Sequence, residues 1–535
     1  MKRMGAVRGG LWGGLTAIGV VGLTYLGQRA AGLPFVPFDV FDWLARVLPG
    51  SIINLTIDGM VRVITSLKVG PTWSVAKGVE QSLGLTFIIG AGVILGAVLG
   101  RLARRPGRNI PVWGAAGGLV LLGPAVAAEF TVGFPASGPV VSLLWLAIVF
   151  LGWGTLLGRL LQVLSAQTAD APSEERRRFL WLVGLGSFAV GVGALGVRVL
   201  SGAKDGGAGA APEVPESLLS QLELTSGPAA SPPLKALAAR PAPAPGTRPE
   251  ITSNDEFYRI DIDTRPPRVD AAEWRLEVSG LVERPLRLTL SEIAARPAVR
   301  QALTLSCISN PVGGDLISTG IWTGVRLKDI LAEAGLRPGA RAVNVTSVDG
   351  FYESIPLSEA LDERTLLVYA MNGEPLPAAH GFPLRVFIPG HYGMKQPKWI
   401  ARLEAADREG PGYWVDRGWD RTAAPRTTSV IDSIAVGAGH GAVIPVGGIA
   451  YSGERGISRV EVQVDDGPWQ EAVLRTPAVS PLTWVEWRFD WKSPRHGRHV
   501  LRVRAADGKG TLQDAEERGT FPAGATGIFS KRTSA

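Results

Sequence analysis

Residues Met371 to Glu404 read MNGEPLPAAHGFPLRVFIPGHYGMKQPKWIARLE, and this stretch decides what the second half of the chain folds around. Its centre, PLRVFIP, is an apolar strand signal, and loops punctuated by Gly and Pro flank it. His380, Arg385, His391, Lys395 and Lys398 all fall within it. Cationic side chains at strand ends, beside glycine loops that expose backbone amides, make a basic pocket suited to an anion such as a phosphate-bearing cofactor. A solvated basic face is the plainer alternative. The apolar strand between the charges argues instead for charges gathered on one rim.

Upstream, Gln301 to Asp315 read QALTLSCISNPVGGD and contain Cys307, the only cysteine in 535 residues. A single cysteine excludes an intrachain disulfide, a CxxC redox pair, a four-cysteine iron–sulfur site and covalent c-type haem. Cys307 ends an apolar strand and enters a turn rich in Pro and Gly, where side chains are presented to pockets. It is either an inert buried residue, a nucleophile with a nearby base, a redox sensor or a thiolate ligand to a soft metal.

Around these two stretches the chain alternates strand and helix signals from Ile251 to Pro425. EWRLEVSGLVERPLRLTL reads as two strands about a turn, Ser291 as the cap of a short helix stopped by Pro297, and VRLKDILAEAGL as an amphipathic helix. RAVNVTSV, TLLVYAM and PLRVFI are further strands, and the mixture without strict alternation indicates an α+β domain. Residues 426–522 differ: ISRVEVQVDDGPWQEAVL, TWVEWRFDW and HVLRVRAADG alternate in and out between short turns, as in an immunoglobulin-like β-sandwich. Residues 523–535 read as a tail. Residues 201–250, rich in Gly, Ala and Pro, read as a semi-extended linker.

The first 200 residues are of another kind. Five apolar runs, Leu11 to Leu26, Leu83 to Leu99, Ile110 to Ala128, Val140 to Leu161 and Phe179 to Leu200, approach the ~20 residues a helix needs to cross a bilayer. Phe35 to Leu67, broken by Asp39, Asp42, Arg46, Asp58 and Arg62, reads as interfacial or re-entrant. Basic clusters at Lys2, Arg3 and Arg8, at Arg101 to Arg108 and at Arg176 to Arg178 predict an all-α transmembrane bundle. In it the N-terminus is cytoplasmic and everything after residue 201 extracytoplasmic. The formal charge of +7 therefore calls for a membrane, not nucleic acid. Arg176, Arg177, Phe179 and Leu180 resemble a twin-arginine export signal, the alternative being a plain positive-inside anchor. All five histidines lie beyond the membrane half, so its helices hold no paired imidazoles for haem b, and they read as an anchor or docking platform.

LTLSCISNPVGGDLISTGIWTGVRLKDIL and LLVYAMNGEPLPAAHGFPLRVFIPGHYGMKQPKWI together resemble the sulfite oxidase family of molybdopterin-dependent oxidoreductases, over about Asn254 to Gly510. The resemblance implies a membrane-anchored bacterial enzyme carrying one molybdenum on one molybdopterin, with no haem or iron–sulfur centre in this chain. It implies that Cys307 is the molybdenum ligand, a soft thiolate for a soft dithiolene-bound metal. His380 and Arg385 match the pterin-binding pair, Gly393, Met394 and Lys395 the loop around the pterin phosphate, and Asn254, Phe257 and Tyr258 an upstream cofactor-binding stretch. Thr346 or Ser347 is a further pterin contact, and Arg259 aligns with a substrate-facing arginine.

Two departures concern the substrate. Pro311 and Val312 stand where sulfite oxidases carry arginines, and the tyrosine expected near molybdenum falls at Trp419, with Tyr413 or Tyr392 as substitutes. The implied activity is two-electron oxygen-atom transfer on a small oxyanion or sulfoxide, with a separate electron carrier such as a cytochrome and a homodimer through the C-terminal sandwich. The alternatives are a sulfoxide reductase of the periplasmic repair type and a non-catalytic membrane-tethered binding module.

Overall fold

The computed structural model describes residues 5–67, 70–105, 107–133, 137–165, 186–187, 189–190, 239–436, 443–492 and 496–534. The Arg-Arg-x-Phe-Leu motif, all but four residues of the fifth apolar run, residues 201–238 of the linker and His440 lie outside them. The chain forms two compact units. One comprises Met1–Leu48, Ala76–Gly206 and Ile262–Arg265, the other Pro49–Val75, Gly207–Asp261 and Pro266–Ala535.

In order, the helices of the N-terminal region are α1 (Ala6–Ala31), α2 (Val36–Val47), α3 (Gly50–Leu67), α4 (Thr72–Leu102), α5 (Ile110–Val132) and α6 (Gly138–Ser165). Among the described residues α1, α4, α5 and α6 are long and apolar enough to cross a membrane. Their packing follows from glycine at four-residue spacing. A Cβ on Gly13 of α1 would collide with the Gly92 carbonyl of α4, and one on Gly114 of α5 with the Gly154 carbonyl of α6. Small residues let backbones approach where apolar side chains gain nothing over lipid. The patchy stretch Phe35 to Leu67 becomes α2 and α3, parted at Pro49, which disfavours helix at Leu48. The charges that interrupt α2 are engaged within the first unit. Asp42 accepts from the Thr264 backbone (2.9 Å) and hydroxyl (3.1 Å), and Arg46 meets Asp263 at 2.6 Å.

The second unit holds two five-stranded sheets and a two-sheet sandwich. Its first ten strands are β1 (Leu276–Gly280), β2 (Leu286–Leu288), β3 (Val299–Ser306), β4 (Ile317–Arg326), β5 (Ala342–Ser347), β6 (Tyr352–Pro356), β7 (Leu366–Met371), β8 (Glu374–Pro375), β9 (Arg385–Phe387) and β10 (Ile400–Ala406). One sheet runs β2-β1-β10-β5-β6, with only β1 and β10 parallel. The other runs β3-β4-β7-β8, with β9 on β7. Three short helices, α7 (Leu290–Ala294), α8 (Leu327–Ala334) and α9 (Leu357–Ala360), complete this α+β core. The cap of α7 is Thr289, not Ser291. Thr289 is extended and exchanges hydrogen bonds with Glu292 in a capping box, which places Ser291 inside the first turn.

The sandwich is built from β11 (Thr428–Ile434), β12 (Val443–Tyr451), β13 (Ile457–Val464), β14 (Trp469–Glu471), β15 (Val473–Leu474), β16 (Val485–Lys492), β17 (Arg498–Asp507) and β18 (Phe529–Ser534). Sheets β11-β12-β16-β15 and β14-β13-β17-β18 enclose Val446, Trp487, Val460, Val462, Leu501 and Val503. The segment read as a tail thus supplies β18. Its weakly apolar FSKRTS suits an edge strand, half-exposed along its length. The end of the linker is likewise not a free tether. Arg240 pairs with Glu250 (2.6 Å), Arg248 with Asp432 (2.6 Å), and Ala244 is buried.

Candidate active site around Cys307

Cys307 directly follows β3, whose outer residues pair with β4 along the whole hairpin. The loop between them is closed by its own hydrogen bonds. Cys307 N donates to Leu316 O (2.9 Å), Asn310 N to Cys307 O (3.1 Å), and Leu316 N to Asn310 Oδ1 (3.0 Å). Gly313 takes a positive φ of 78°, which favours glycine. This turn buries the thiol to 8% exposure, with Sγ 3.0 Å from Ser309 Oγ. Burial raises the thiol's pKa above its ordinary value, and the Ser309 hydroxyl partly opposes that rise. An adjacent cation would favour the thiolate, as does a hydrogen bond donated by the Ser309 hydroxyl.

On the same unit, the segment before β1 and the loops about β9 bring cations together in the interior. Arg259, His380, Arg385 and Lys395 are 8%, 6%, 5% and 4% exposed. Arg259 Nε donates to Asp261 Oδ2 at 2.8 Å, Lys398 Nζ reaches the same oxygen at 3.3 Å, and Lys395 Nζ donates to Glu353 Oε1 at 2.6 Å. Arg385 donates to the His380 carbonyl (3.0 Å) and lies over the Trp322 ring at 5.0 Å, but among the described residues no carboxylate pairs with it. Phe257 sets the geometry. Its ring stacks on Tyr258 and meets both Trp322 and His380 edge to face, while Asn254 O lies 3.2 Å from His380 Nε2.

Burial and neighbouring cations both act on these groups. Burial, then the Lys398 and Arg385 charges, pushes His380 down to about 3, so its imidazole is neutral. Burial also lowers Lys398 to about 8, against the pull of Asp261, and lowers Arg385 to about 10. Desolvated cations that share one carboxylate are stabilised by an anion from outside the chain. Two glycines let the chain pack closely around these side chains. A Cβ on Gly393 would lie 2.7 Å from Tyr258 Oη, and Gly381, with φ of 115°, lies where a Cβ would crowd Arg385 and Lys398. Buried Ser347 Oγ and Trp322 Nε1 lack hydrogen-bond partners among the described residues, as expected of groups facing a ligand.

These features fit a pterin phosphate. Among the described residues no cluster of three His, Cys, Asp or Glu could hold a metal. A metal beside Cys307 would therefore take its other ligands from the cofactor. Of the two pterin candidates on β5, Thr346 is exposed and Ser347 is buried, as strand alternation requires.

The aromatic candidates separate. Trp419 joins a buried cluster with Ile308, Tyr392, Met394 and Ala423. Tyr413 packs elsewhere, against Phe351, Tyr352 and Trp414, with the Arg417 guanidinium over its ring. Tyr392 is raised to about 12, mainly by burial, with Cys307 among the charges it feels. A small recess at the loop after β3 is lined by Ser306, Asn310, Pro311, Val312, Tyr392, Arg426, Thr428, Tyr451 and Ala525; Cys307, next in sequence to Ser306, is not on its wall. Arg426 thus brings to Pro311 and Val312 the positive charge absent from those positions. Sequence reasoning missed Arg426, Tyr451, Asp261 and Glu353, since nothing local marks a residue that acts across the fold. Ser309, two residues after the cysteine, was open to view.

The family model for the oxidoreductase molybdopterin binding domain matches residues 263–414. The chain is 34% identical over 156 residues to the oxidoreductase YuiH of Bacillus subtilis, covering 29% of this chain and 77% of that protein. It is 32% identical over 303 residues to mitochondrial sulfite oxidase of Rattus norvegicus (48% of this chain, 55% of the relative). To a nitrate reductase [NAD(P)H] of Hordeum vulgare it is 31% identical over 269 residues (39% and 30%). The chain thus spans about half the length of the sulfite oxidase and under a third of the nitrate reductase. Among solved structures, the sulfane dehydrogenase SoxCD from Paracoccus pantotrophus aligns with a TM-score of 0.49 at 23% identity, over 56% of this chain and 83% of that one.

Proposed function

Because the chain belongs to the sulfite oxidase family of molybdopterin-dependent oxidoreductases, we propose that it is a membrane-held enzyme acting on a small oxyanion or sulfoxide at the recess on the Cys307 loop. The observation that carries this reading is a lone buried thiol in the same unit as a cluster of buried cations, of which Arg259 and Lys398 share Asp261 and Arg385 pairs with no carboxylate among the described residues. Bound molybdenum on a single pterin dithiolene supplies two-electron oxygen-atom transfer. The residues of this chain bind and orient. The Cys307 thiolate ligates the metal, while Arg385, Lys398 and neutral His380 hold the pterin and its phosphate, with Lys395 kept in place by Glu353. Ser347 and Trp322 donate from their unpartnered atoms, and Arg259 sits in the same cation cluster.

At the recess, Arg426 orients the substrate and Tyr392 flanks it. A positive group fixed beside the reacting centre stabilises charge as the oxygen atom moves. The two electrons pass singly to a separate carrier of the cytochrome type when an oxyanion is oxidised, and from such a carrier when a sulfoxide is reduced. The helices α1, α4, α5 and α6 anchor the enzyme with its catalytic unit outside the cytoplasm, and the two-sheet sandwich is read as immunoglobulin-like and able to dimerise. Pro311 and Val312, apolar on the recess wall, favour a second reading in which an uncharged sulfoxide is reduced.

The test is a metal and pterin analysis of the purified full chain from a host that makes the cofactor, with Cys307→Ser alongside. One molybdenum per chain, lost in the variant, is expected, and no molybdenum in the unaltered chain overturns the proposal. Sulfite with an oxidised acceptor, against methionine sulfoxide with a reduced dye, then separates the two directions.

A further inference from the structure

Residues 49–75 precede the catalytic sequence by about two hundred positions, yet they pack within its unit. The buried face of α3 carries Asn54, Val61 and Ile64, exposed by 5%, 6% and 4%. Asn54 makes two hydrogen bonds with one amide. Its Nδ2 donates to Arg417 O (2.9 Å) and its Oδ1 accepts from Trp419 Nε1 (2.9 Å). One turn further along, Thr520 donates to Asp58 Oδ1 at 2.6 Å, and the next residue, Phe521, meets Trp419 edge to face at 5.3 Å. Nothing larger than glycine fits where α3 begins, because a Cβ on Gly50 would lie 2.9 Å from Arg417 Cα. At the far end of the segment, Thr72 N donates to Asp315 Oδ2 (2.8 Å), on the loop that follows Cys307.

Trp419 packs with Ile308, the residue after Cys307, and with Tyr392, which also lines the recess, and Met394. A tryptophan in that position has one polar atom, and Asn54 satisfies it. Left unpaired, a buried indole N–H costs as much as a lost hydrogen bond, and the ring is then free to swing toward a partner elsewhere.

From this geometry we propose that Asn54 is a positioning residue of the site. Acting through Trp419, it closes the wall over Cys307, so α3 is a working part of the catalytic unit. The inference rests on the proposed function only in taking the Cys307 side of the unit as the site.

The lone cysteine gives a readout free of activity: the rate at which the cofactor-free full chain, folded in detergent, reacts with a maleimide. Asn54→Leu, which removes both hydrogen bonds, should speed labelling roughly tenfold. Trp419→Phe should do the same, and the double variant should add nothing, since the Asn54–Trp419 bond is the one that both changes break. Asn54→Asp, which still accepts from the indole, should label close to the unaltered rate. Ile64→Ala, which thins the buried face of α3 away from Trp419, is the control and should label slowly.

Equal rates in Asn54→Leu and the unaltered chain overturn the proposal. So does an Ile64→Ala rate as high as that of Asn54→Leu, which would make α3 a general prop. Metal content is measured separately, so its absence would overturn the proposed function while leaving the labelling result standing.

Discussion

Arg385 holds a permanent charge at 5% exposure, against a carbonyl and the Trp322 ring, with no carboxylate paired to it among the described residues. Without cofactor such a charge is a burden on the fold. Arg385→Met should therefore raise the unfolding free energy of the cofactor-free chain by on the order of 1 kcal/mol or more, seen as a higher denaturant midpoint, while lowering its pterin content. A fall in both would show the charge to be structural. His380 gives a second, pH-dependent signature. Its folded pKa of about 3 lies below the ordinary 6.5, so between these values the unfolded chain binds the extra proton. Stability from this residue is present in full above about 6.5 and is lost as the pH falls toward 3. The midpoint of cofactor-free His380→Gln should fall less steeply over that window than that of the unaltered chain.

At the scale of elements, strand alternation and helix capping decide which residues act. β5 exposes Thr346 and buries Ser347, so Ser347→Ala should reduce pterin retention and Thr346→Ala should leave it unchanged, as measured by pterin fluorescence after denaturation. The α7 capping box should be worth about 1 kcal/mol, read from the thermal midpoint of Thr289→Ala, with Ser291→Ala near neutral. These two cases also mark what was legible. The strands β3, β5, β7 and β9 follow from apolar runs bounded by turns, because local pattern and burial agree there. Choosing between Thr346 and Ser347, or between Thr289 and Ser291, needed the face each strand turns inward and the residue where the helix actually starts. Those depend on register, which neighbours in space set.

At the scale of the whole molecule, the apolar runs read from sequence match four long apolar helices among the described residues, and the sequence reading falters where segments taken as free are bound to distant residues. The end of the linker is bound by Arg240–Glu250 and Arg248–Asp432, and Arg248 also lies over Trp484 at 5.5 Å. Asp432→Asn should make residues 239–250 a site of limited proteolysis, cut early while the sandwich survives. The sandwich in turn reaches the α+β core. Tyr451 Oη donates to Thr304 O (3.1 Å) and lines the recess with Arg426, although its strands read as packing alone. If the apolar helices span a bilayer, the full chain should stay with membranes through a carbonate wash and leave only with detergent.

The sequence by itself determined the apolar helices, the α+β order of the second half, the family and the isolation of Cys307, because each is written in local period, in composition or in contiguous motifs. Only the tertiary structure decided that Asp261 and Glu353 balance part of the buried charge, that Arg426 supplies a cation beside Pro311, that Trp419 packs with Ile308 and Tyr392 while Tyr413 packs with Phe351 and Tyr352, and that Asn54 bonds the Trp419 indole. The physical reason is distance along the chain. Hydrogen bonds, charge balance and packing act over a few ångströms of space, and Asn54 and Trp419 meet at 2.9 Å from opposite ends of the sequence.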